Sequence, residues 1–380
     1  MDKKKILELC EFSSGVCGVW NRVLQESKLL SKDYSVFVFS SNLVKGTNKI
    51  APEREEIDGI TIKRFPVKFK IGENALFWDF EEEAIKLSPD IIIAHVYRHP
   101  HTNSALKIAK KIEKIKNKKI KVILVTHAPF VEKKLRGFKL NFFVKMYDFL
   151  YKKNLNKYDK VVVITKWEIP YLLKLGCKKE KIVYIPNGIP DKFFEKPIKK
   201  FESKRIIFFG RIAPIKNIET ILKASKILSE KGKKFNLKLI GPAEEEYEKK
   251  LKIMINSLRI TNVKFVKPVY ELNKKIDILN KTDIFVLPSI REAMPQSLIE
   301  AMALGRIVIS SDTQGAKEII KEGKNGFLFR INDEKGLAEK ILFCMDKRNF
   351  NRINRVSNEA RKSAENFKWS KLIIDLKRIL

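Results

Sequence analysis

The chain predicts an α/β protein made of two Rossmann-like domains in tandem, and three observations carry that expectation. Short β-branched runs alternate with helical patterns through the first half. The alternation stops near residue 187 and restarts near residue 205. A length of 380 residues suits two domains of ordinary size, each able to bury its own core. Strands that alternate with helices build βαβ units and a parallel sheet covered on both faces.

Taken in order, the strand candidates of the first half are 4–10, 34–40, 60–65, 90–94, 121–126, 159–165 and 182–185. The opening run from Met1 to Cys10 is too charged for a signal peptide and reads as the first strand. Val19, Val23, Leu24, Ser27 and Leu30 recur at helical spacing, as do Ala105, Ile108, Ala109 and Ile112. After Ile185-Pro186-Asn187-Gly188-Ile189-Pro190 the chain turns polar, which places a linker at 187–203. Strands are then expected near 205–210, 236–240, 263–267, 283–287, 307–310 and 326–329. Helices are expected near 217–231, 246–258, 271–281, 296–304, 314–322 and 333–346. Leu372, Ile373, Leu376 and Ile379 follow Phe367-Lys368-Trp369-Ser370 as a final amphipathic helix. The domains are set at 1–188, 189–364 and, for the last helix, 365–380.

The densest signal runs from Arg291 to Gly305. Asp283 to Ser289 reads as a buried strand ending in a turn. Glu292, a short loop with Pro295, and an Ala/Leu/Met-rich helix carrying Glu300 follow it. That order puts Glu292 and the backbone amides of Met294, Pro295, Gln296 and Ser297 at the carboxyl edge of a sheet, where open α/β folds bind ligands; of these four, proline has no N–H to offer. A helix N-terminus there suits an anion. Glu300 lies roughly 7 Å further along the axis at about 1.5 Å per residue. A bare E-x7-E recurs in any acidic helical protein; set in strand, Pro-Ser turn and Ala-rich helix it is specific. With the following Glu-Ala-Met-Ala-Leu-Gly, the stretch resembles the retaining nucleotide-sugar glycosyltransferases of family 4, which have the GT-B fold. The resemblance implies two Rossmann-like domains with a cleft between them and a C-terminal helix crossing back to the first domain.

Phe208-Phe209-Gly210-Arg211-Ile212-Ala213-Pro214-Ile215-Lys216-Asn217 is the second motif, again between an apolar strand and a helix. Arg211 supplies a planar fork and Lys216 a mobile point charge, a pair suited to one diphosphate. The resemblance makes Gly210, Arg211 and Lys216 the element that holds the donor's pyrophosphate. It gives Glu300 the ribose hydroxyls and Glu292 the donor hexose. No Asp-x-Asp occurs in the chain. Fixed cations and a helix N-terminus can stabilise a leaving diphosphate instead, so no metal and no cofactor are expected. The donor is expected to be a UDP- or GDP-sugar.

From the first half come Gly15 and Gly18, in Ser13-Ser14-Gly15-Val16-Cys17-Gly18, where small residues let backbone approach a ligand. The family usually carries adjacent glycines there, and this chain has Cys17 before Gly18. His127 ends a strand in Val125-Thr126-His127, and by resemblance it lies near the donor sugar and assists transfer. His95 ends the preceding strand and is either a cleft residue at the acceptor side or a hydrogen-bonded core histidine, whereas Lys166 and Asn187 fall where the family's interdomain cleft lies. His99 and His101 line the acceptor site or are plain loop residues. Four histidines within a short span raise the question of a metal, but no carboxylate accompanies them at ligand spacing.

Seventy-eight basic residues against 45 acidic ones give a net charge of +33, which attracts polyanions, anionic membranes or phosphorylated substrates. Eight lysines between Lys107 and Lys121 read as a solvated helix face. Residues 132–160 carry nine basic groups among Phe138, Phe142, Phe143, Met146, Tyr147, Phe149, Leu150 and Tyr151, which suggests docking on an anionic membrane surface. A lipid-linked or membrane-associated glycan acceptor follows from that, with the protein cytoplasmic and peripheral on the inner face of the cell membrane. No stretch reaches the roughly 18 apolar residues of a spanning helix. Four cysteines without a Cys-x-x-Cys pair argue against disulfides or structural zinc. Specific nucleic-acid binding is not expected, since no helix-turn-helix, zinc finger or aromatic RNA platform is evident. A GT-B sugar-nucleotide epimerase or phosphorylase is the nearest alternative.

Overall fold

The structure is a computed structural model that describes the chain except residues 1–2, 16, 46, 48, 72–74, 131–137 and 203. It divides into two compact units, Met1–Asn187 with Trp369–Leu380, and Gly188–Lys368. The α/β class expected from the sequence is what the structure has, with a Rossmann-like sheet in each unit.

The first unit runs β1 (Lys5–Phe12), α1 (Gly18–Leu30), β2 (Ser35–Ser41), β3 (Arg54–Ile57), β4 (Ile60–Phe65), β5 (Val67–Ile71) and β6 (Ala75–Trp78). It continues with α2 (Glu81–Leu87), β7 (Ile91–His95), α3 (Pro100–Lys116), β8 (Lys121–Val125), α4 (Phe138–Tyr151), β9 (Lys160–Val163), α5 (Ile169–Lys174) and β10 (Ile182–Tyr184). Among the described residues the main sheet has the order β10-β9-β8-β7-β1-β2-β4-β3. All its neighbours are parallel except β3 and β4, which pair antiparallel across Asp58-Gly59. Both residues of that turn have positive φ, 50° and 78°, the geometry that Asp-Gly favours in a two-residue hairpin. Strands β5 and β6 form a separate antiparallel pair. The central strands are Ile/Val runs buried on both faces, as a covered parallel sheet requires.

The second unit runs β11 (Arg205–Phe209), α6 (Ile218–Glu230), β12 (Asn236–Ile240), α7 (Glu245–Ser257), β13 (Val263–Val266), α8 (Leu272–Asn280) and β14 (Ile284–Leu287). Then come α9 (Gln296–Ala303), β15 (Ile307–Ser311), α10 (Gln314–Ile319), β16 (Phe327–Phe329), α11 (Glu334–Met345) and α12 (Phe350–Ala364). Its sheet is parallel throughout, in the order β13-β12-β11-β14-β15-β16. Helix starts are fixed locally: Glu271, Thr313 and Asp333 accept amide bonds at the heads of α8, α10 and α11.

The expected linker at 187–203 is instead packed into the second unit. Ile189 and Phe193 are buried, and Ile189 N donates to Phe367 O at 2.8 Å. Buried Asp283 accepts from the backbone amides of Glu202, Lys204 and Arg205 at 2.9–3.2 Å. The polar composition misled because a few apolar residues and one carboxylate suffice to tie such a stretch down. The last helix, α13 (Trp369–Arg378), returns to the first unit and packs on α1 through buried Trp369, Leu372, Ile373 and Leu376.

Candidate active site

In the second sheet β11 has β12 on one side and β14 on the other, so the chain reverses direction between β11 and β14. Loops leaving the carboxyl ends of such a pair diverge and open a crevice. Gly210 and Arg211 leave β11 there, and Glu292 follows β14. Gly241, at φ 146°, lies against Gly210: a Cβ on it would sit 1.9 Å from Gly210 O, so no larger residue fits. The two loops are stitched by Ile290 N donating to Ile215 O at 2.9 Å and Asn217 Nδ2 donating to Pro288 O at 3.2 Å. A single 3-10 turn, Pro214–Lys216, closes on Asn217 in the left-handed conformation and delivers Lys216.

Lys216 Nζ lies 2.6 Å from Glu292 Oε1, and the Ser289 hydroxyl donates to the same oxygen at 2.6 Å. Arg211 is half-exposed and pairs elsewhere, with Glu244 at 2.8 Å. Lys216 and Arg211 therefore each hold a carboxylate of their own. Met294 and Pro295 are buried, Pro295 precedes α9 without a side-chain cap, and Gln296 and Ser297 form the first turn, half-buried. Their amides carry the partial positive charge of a helix start. Glu300, one turn further on, is 6% exposed and bound by Lys275 Nζ at 2.7 Å and 2.6 Å to its two oxygens. Lys275 also stands over the Phe209 ring, 5.2 Å from its centroid.

The first sheet has the same reversal, between β1 and β7. Gly15 follows β1 at φ 84° and bridges Lys45, whose carbonyl would lie 2.7 Å from a Cβ there. Gly18 opens α1 on the surface, where a Cβ would meet nothing within 4 Å. Close packing thus explains Gly15 and not Gly18. His95 ends β7, fully buried; its Nε2 is 2.7 Å from Glu8 Oε2 and its Nδ1 is 3.0 Å from His127 Nε2. His127 and Ala128 both take left-handed backbone, φ 56° and 51°. Non-glycine residues held there cluster at functional sites. Buried Glu168 secures the turn, accepting from Ala128 N at 2.9 Å and from Ile164 N and Thr165 N at 2.9 and 3.0 Å. Lys166 is exposed over the Tyr184 ring, and Asn187 is buried with its Oδ1 accepting from Arg22 at 3.1 Å.

Carboxylates do accompany the histidines, contrary to the sequence expectation. Glu8, Glu26 and His95 place three possible ligand atoms within 4.8 Å of one another, and His99 Nδ1 is 3.2 Å from Glu11. The carboxylates come from β1 and α1, far away in sequence, so no spacing rule could show them. Arg22 is already inside that cluster, 3.0 Å from Glu26, and its guanidinium supplies the counter-charge a cation would bring. It also donates to Ile185 O and Pro186 O at 3.0 and 3.1 Å and faces the Trp369 ring at 5.6 Å. Burial pushes the Glu8 carboxyl up to about 8, against the opposing pull of Arg22, and raises Glu26 as well. Burial likewise holds His95 down to about 4, His101 to about 3 and His127 well below the usual imidazole value.

Two family models account for most of the chain: Glycosyltransferase Family 4 matches residues 16–193 and Glycosyl transferases group 1 matches residues 190–363. The chain belongs to the GT-B glycosyltransferases. An uncharacterised glycosyltransferase of Methanocaldococcus jannaschii is 27% identical over 95% of this chain and 94% of its own. The N,N'-diacetylbacillosaminyl-diphospho-undecaprenol alpha-1,3-N-acetylgalactosaminyltransferase of Campylobacter jejuni is 27% identical over 59% of this chain and 61% of its own, so this chain spans about three-fifths of it. Anabaena HepE, solved with UDP-glucose, superposes with a TM-score of 0.73 at 16% identity over 99% of this chain and 100% of that one, a likeness of fold.

Lys275 and Glu168 escaped the motif reading of this glycosyltransferase-family chain. Thr165-x-x-Glu168 is a capping box, and both of its reciprocal bonds are made. That pattern could have drawn attention to Glu168. Lys275 is one helix lysine among many, and nothing local distinguishes it.

Proposed function

We propose that this protein is a retaining, metal-independent glycosyltransferase that moves a hexose from a UDP- or GDP-sugar to a lipid-linked or membrane-associated glycan in cell-surface polysaccharide, glycolipid or N-glycan assembly. The observation that carries the reading is the Lys216–Glu292 pair at the β11/β14 reversal. An ammonium and a carboxylate held together exchange readily for a ligand with phosphate at one end and hydroxyls at the other. Lys216 and the half-exposed Arg211 then face the diphosphate, with the amides at the head of α9, and neutralise charge as the anomeric bond breaks. Glu292 takes hexose hydroxyls and Glu300 the ribose diol, a carboxylate's two oxygens matching two donors. In the retaining reaction the acceptor attacks the face the phosphate leaves, and the phosphate takes the proton. Anabaena HepE, with its bound UDP-glucose, supports the donor class, and the diphospho-undecaprenol named for the Campylobacter enzyme supports a lipid-linked acceptor. The basic and aromatic surface of α4 supports a peripheral site on the cytoplasmic face of the membrane.

Thermal protection by a panel of UDP-, GDP- and ADP-sugars identifies the donor, and transfer to a lipid-linked acceptor is then followed with and without EDTA. Lys216→Ala is expected to lower kcat/KM by about 100- to 1,000-fold, the usual cost of losing one charge-stabilising donor. Activity is expected to survive EDTA, and the product anomer is read by NMR. A Lys216→Ala enzyme as fast as wild type sinks the site. Loss in EDTA restored by magnesium sinks metal independence alone.

A further inference from the structure

Side chains along a strand alternate between faces, and neighbouring parallel strands share that alternation. Glu8 of β1 stands opposite Ile93 of β7, so His95, two residues on, lies on the same face. His95 in turn stands opposite Val125, the last residue of β8, and the left-handed turn that follows the strand carries His127 to within 3.0 Å of His95. The topology thus lines up Glu8, His95 and His127 beneath α1, with 2.7 Å and 3.0 Å between their polar atoms. Glu8 and His95 are both fully buried, and only the third member is half-buried.

We propose that Glu8 and His95 are positioning residues that fix the ring tautomer of His127, so that its Nδ1 carries the proton offered to a ligand. Arg22, the guanidinium of this cluster, ion-pairs with Glu26 at 3.0 Å, which leaves Glu8 as a second carboxyl with no full counter-charge in a water-poor interior. Such a group keeps its proton. Glu8 Oε2–H then donates to His95 Nε2, His95 carries its own proton on Nδ1 and donates to His127 Nε2, and His127 is protonated on Nδ1. If Glu8 loses its proton the polarity reverses. His95 Nε2–H donates to the carboxylate, His127 Nε2–H donates to His95 Nδ1, and His127 Nδ1 becomes an acceptor. One proton removed at Glu8 turns the last nitrogen of the row from donor to acceptor, with no heavy atom moved.

The groups facing Glu8 are Arg22 and Glu26 on α1, Cys10 on its own strand, and His95 on β7, with His127 beyond. The arrangement rests on geometry; the raised Glu8 carboxyl, near 8, places the reversal in an accessible range. The consequence for transfer rests on the reading of His127 as a donor-sugar contact, but the tautomer does not.

Long-range 15N–1H NMR on protein labelled at its four histidines reports the protonated nitrogen of each ring directly. His127 is expected in the Nδ1–H form at pH 6.5 and to change to Nε2–H with a midpoint near pH 8. Glu8→Gln keeps a donor toward His95 that cannot titrate, and should hold the Nδ1–H form through pH 9. Glu8→Leu removes the donor and should release the tautomer. In parallel, kcat for wild type should change through pH 8 while KM holds, and kcat for Glu8→Gln should be flat there. An Nε2–H His127 in wild type at pH 6.5, or a Glu8→Leu spectrum like wild type in a folded variant, overturns the proposal. The expected tautomers together with a pH-independent wild-type kcat would leave the relay standing and refute the role of His127 in transfer.

Discussion

Glu300 sits on the buried side of α9 with both oxygens against Lys275, and a carboxylate so placed depends on that ammonium. Removing one partner of a largely buried ion pair leaves the other charge uncompensated, whereas removing both is far milder. Lys275→Ala is therefore expected to destabilise the protein by about 2 kcal/mol, a value discounted because Lys275 itself is 20% exposed. Lys275→Ala with Glu300→Gln should recover most of that loss. Denaturant unfolding of the four members of the cycle checks it, and strict additivity would count against the pair. Legibility at this scale was uneven for a physical reason. Glu292, Glu300, Arg211 and Lys216 announce themselves because their neighbours in sequence are strand, turn and helix start. Lys275, Glu8 and Glu26 acquire their partners only through the fold, so their surroundings cannot be read from adjacent residues.

Helix α4 leaves Phe142, Phe143, Met146, Phe149 and Leu150 exposed, Phe149 at 77%, beside exposed Lys145, Lys152 and Lys153. It is held from beneath by Asp148, which Arg98 Nη2 contacts at 2.6 Å, and by Tyr147, whose hydroxyl accepts from Asn103 at 2.6 Å. The expected docking segment 132–160 also includes 132–137, which lie outside the described residues. An apolar face of this size with flanking cations suits an anionic lipid surface. Wild type is expected to float with anionic vesicles and not with neutral ones at low salt, and Phe142→Ser with Phe149→Ser should lose at least tenfold in binding. Equal flotation of the double variant would discard the helix as the docking element. Most elements of the fold were legible from β-branched runs and helical spacing. Among the exceptions, β3 and β5 are short and largely exposed, β6 is only four residues long although Leu76 and Trp78 are buried, and α12 buries mostly small residues, Ser357, Ala360 and Ala364, among charges. Asp58-Gly59 was the overlooked sign of the β3–β4 ribbon.

The molecule as a whole carries buried titratable groups whose effects oppose each other. Glu8 is raised from 4.5 to about 8, so the folded state holds more protons than the unfolded one in that interval and stability falls as pH rises through it. His95, lowered from 6.5 to about 4, and His101, lowered to about 3, do the reverse: the unfolded state holds more protons, so stability rises with pH up to about 6.5. Below that value the two slopes oppose; between 6.5 and 8 the Glu8 contribution stands without its opponents. Wild-type stability should therefore decline from pH 6.5 to 8, with a Glu8 share of up to about 1.4 kcal/mol per pH unit. Glu8→Gln should flatten that decline in urea titrations at stepped pH, and parallel curves for the two proteins would contradict it.

Because α13 closes over α1 only after the whole second unit has been made, the ribosome must finish about 180 intervening residues before Trp369 can cover Arg22. At roughly 5–20 residues per second that is a delay on the order of ten seconds or more. Throughout that interval the face of α1 that Trp369, Leu372, Ile373 and Leu376 later cover stands open to solvent.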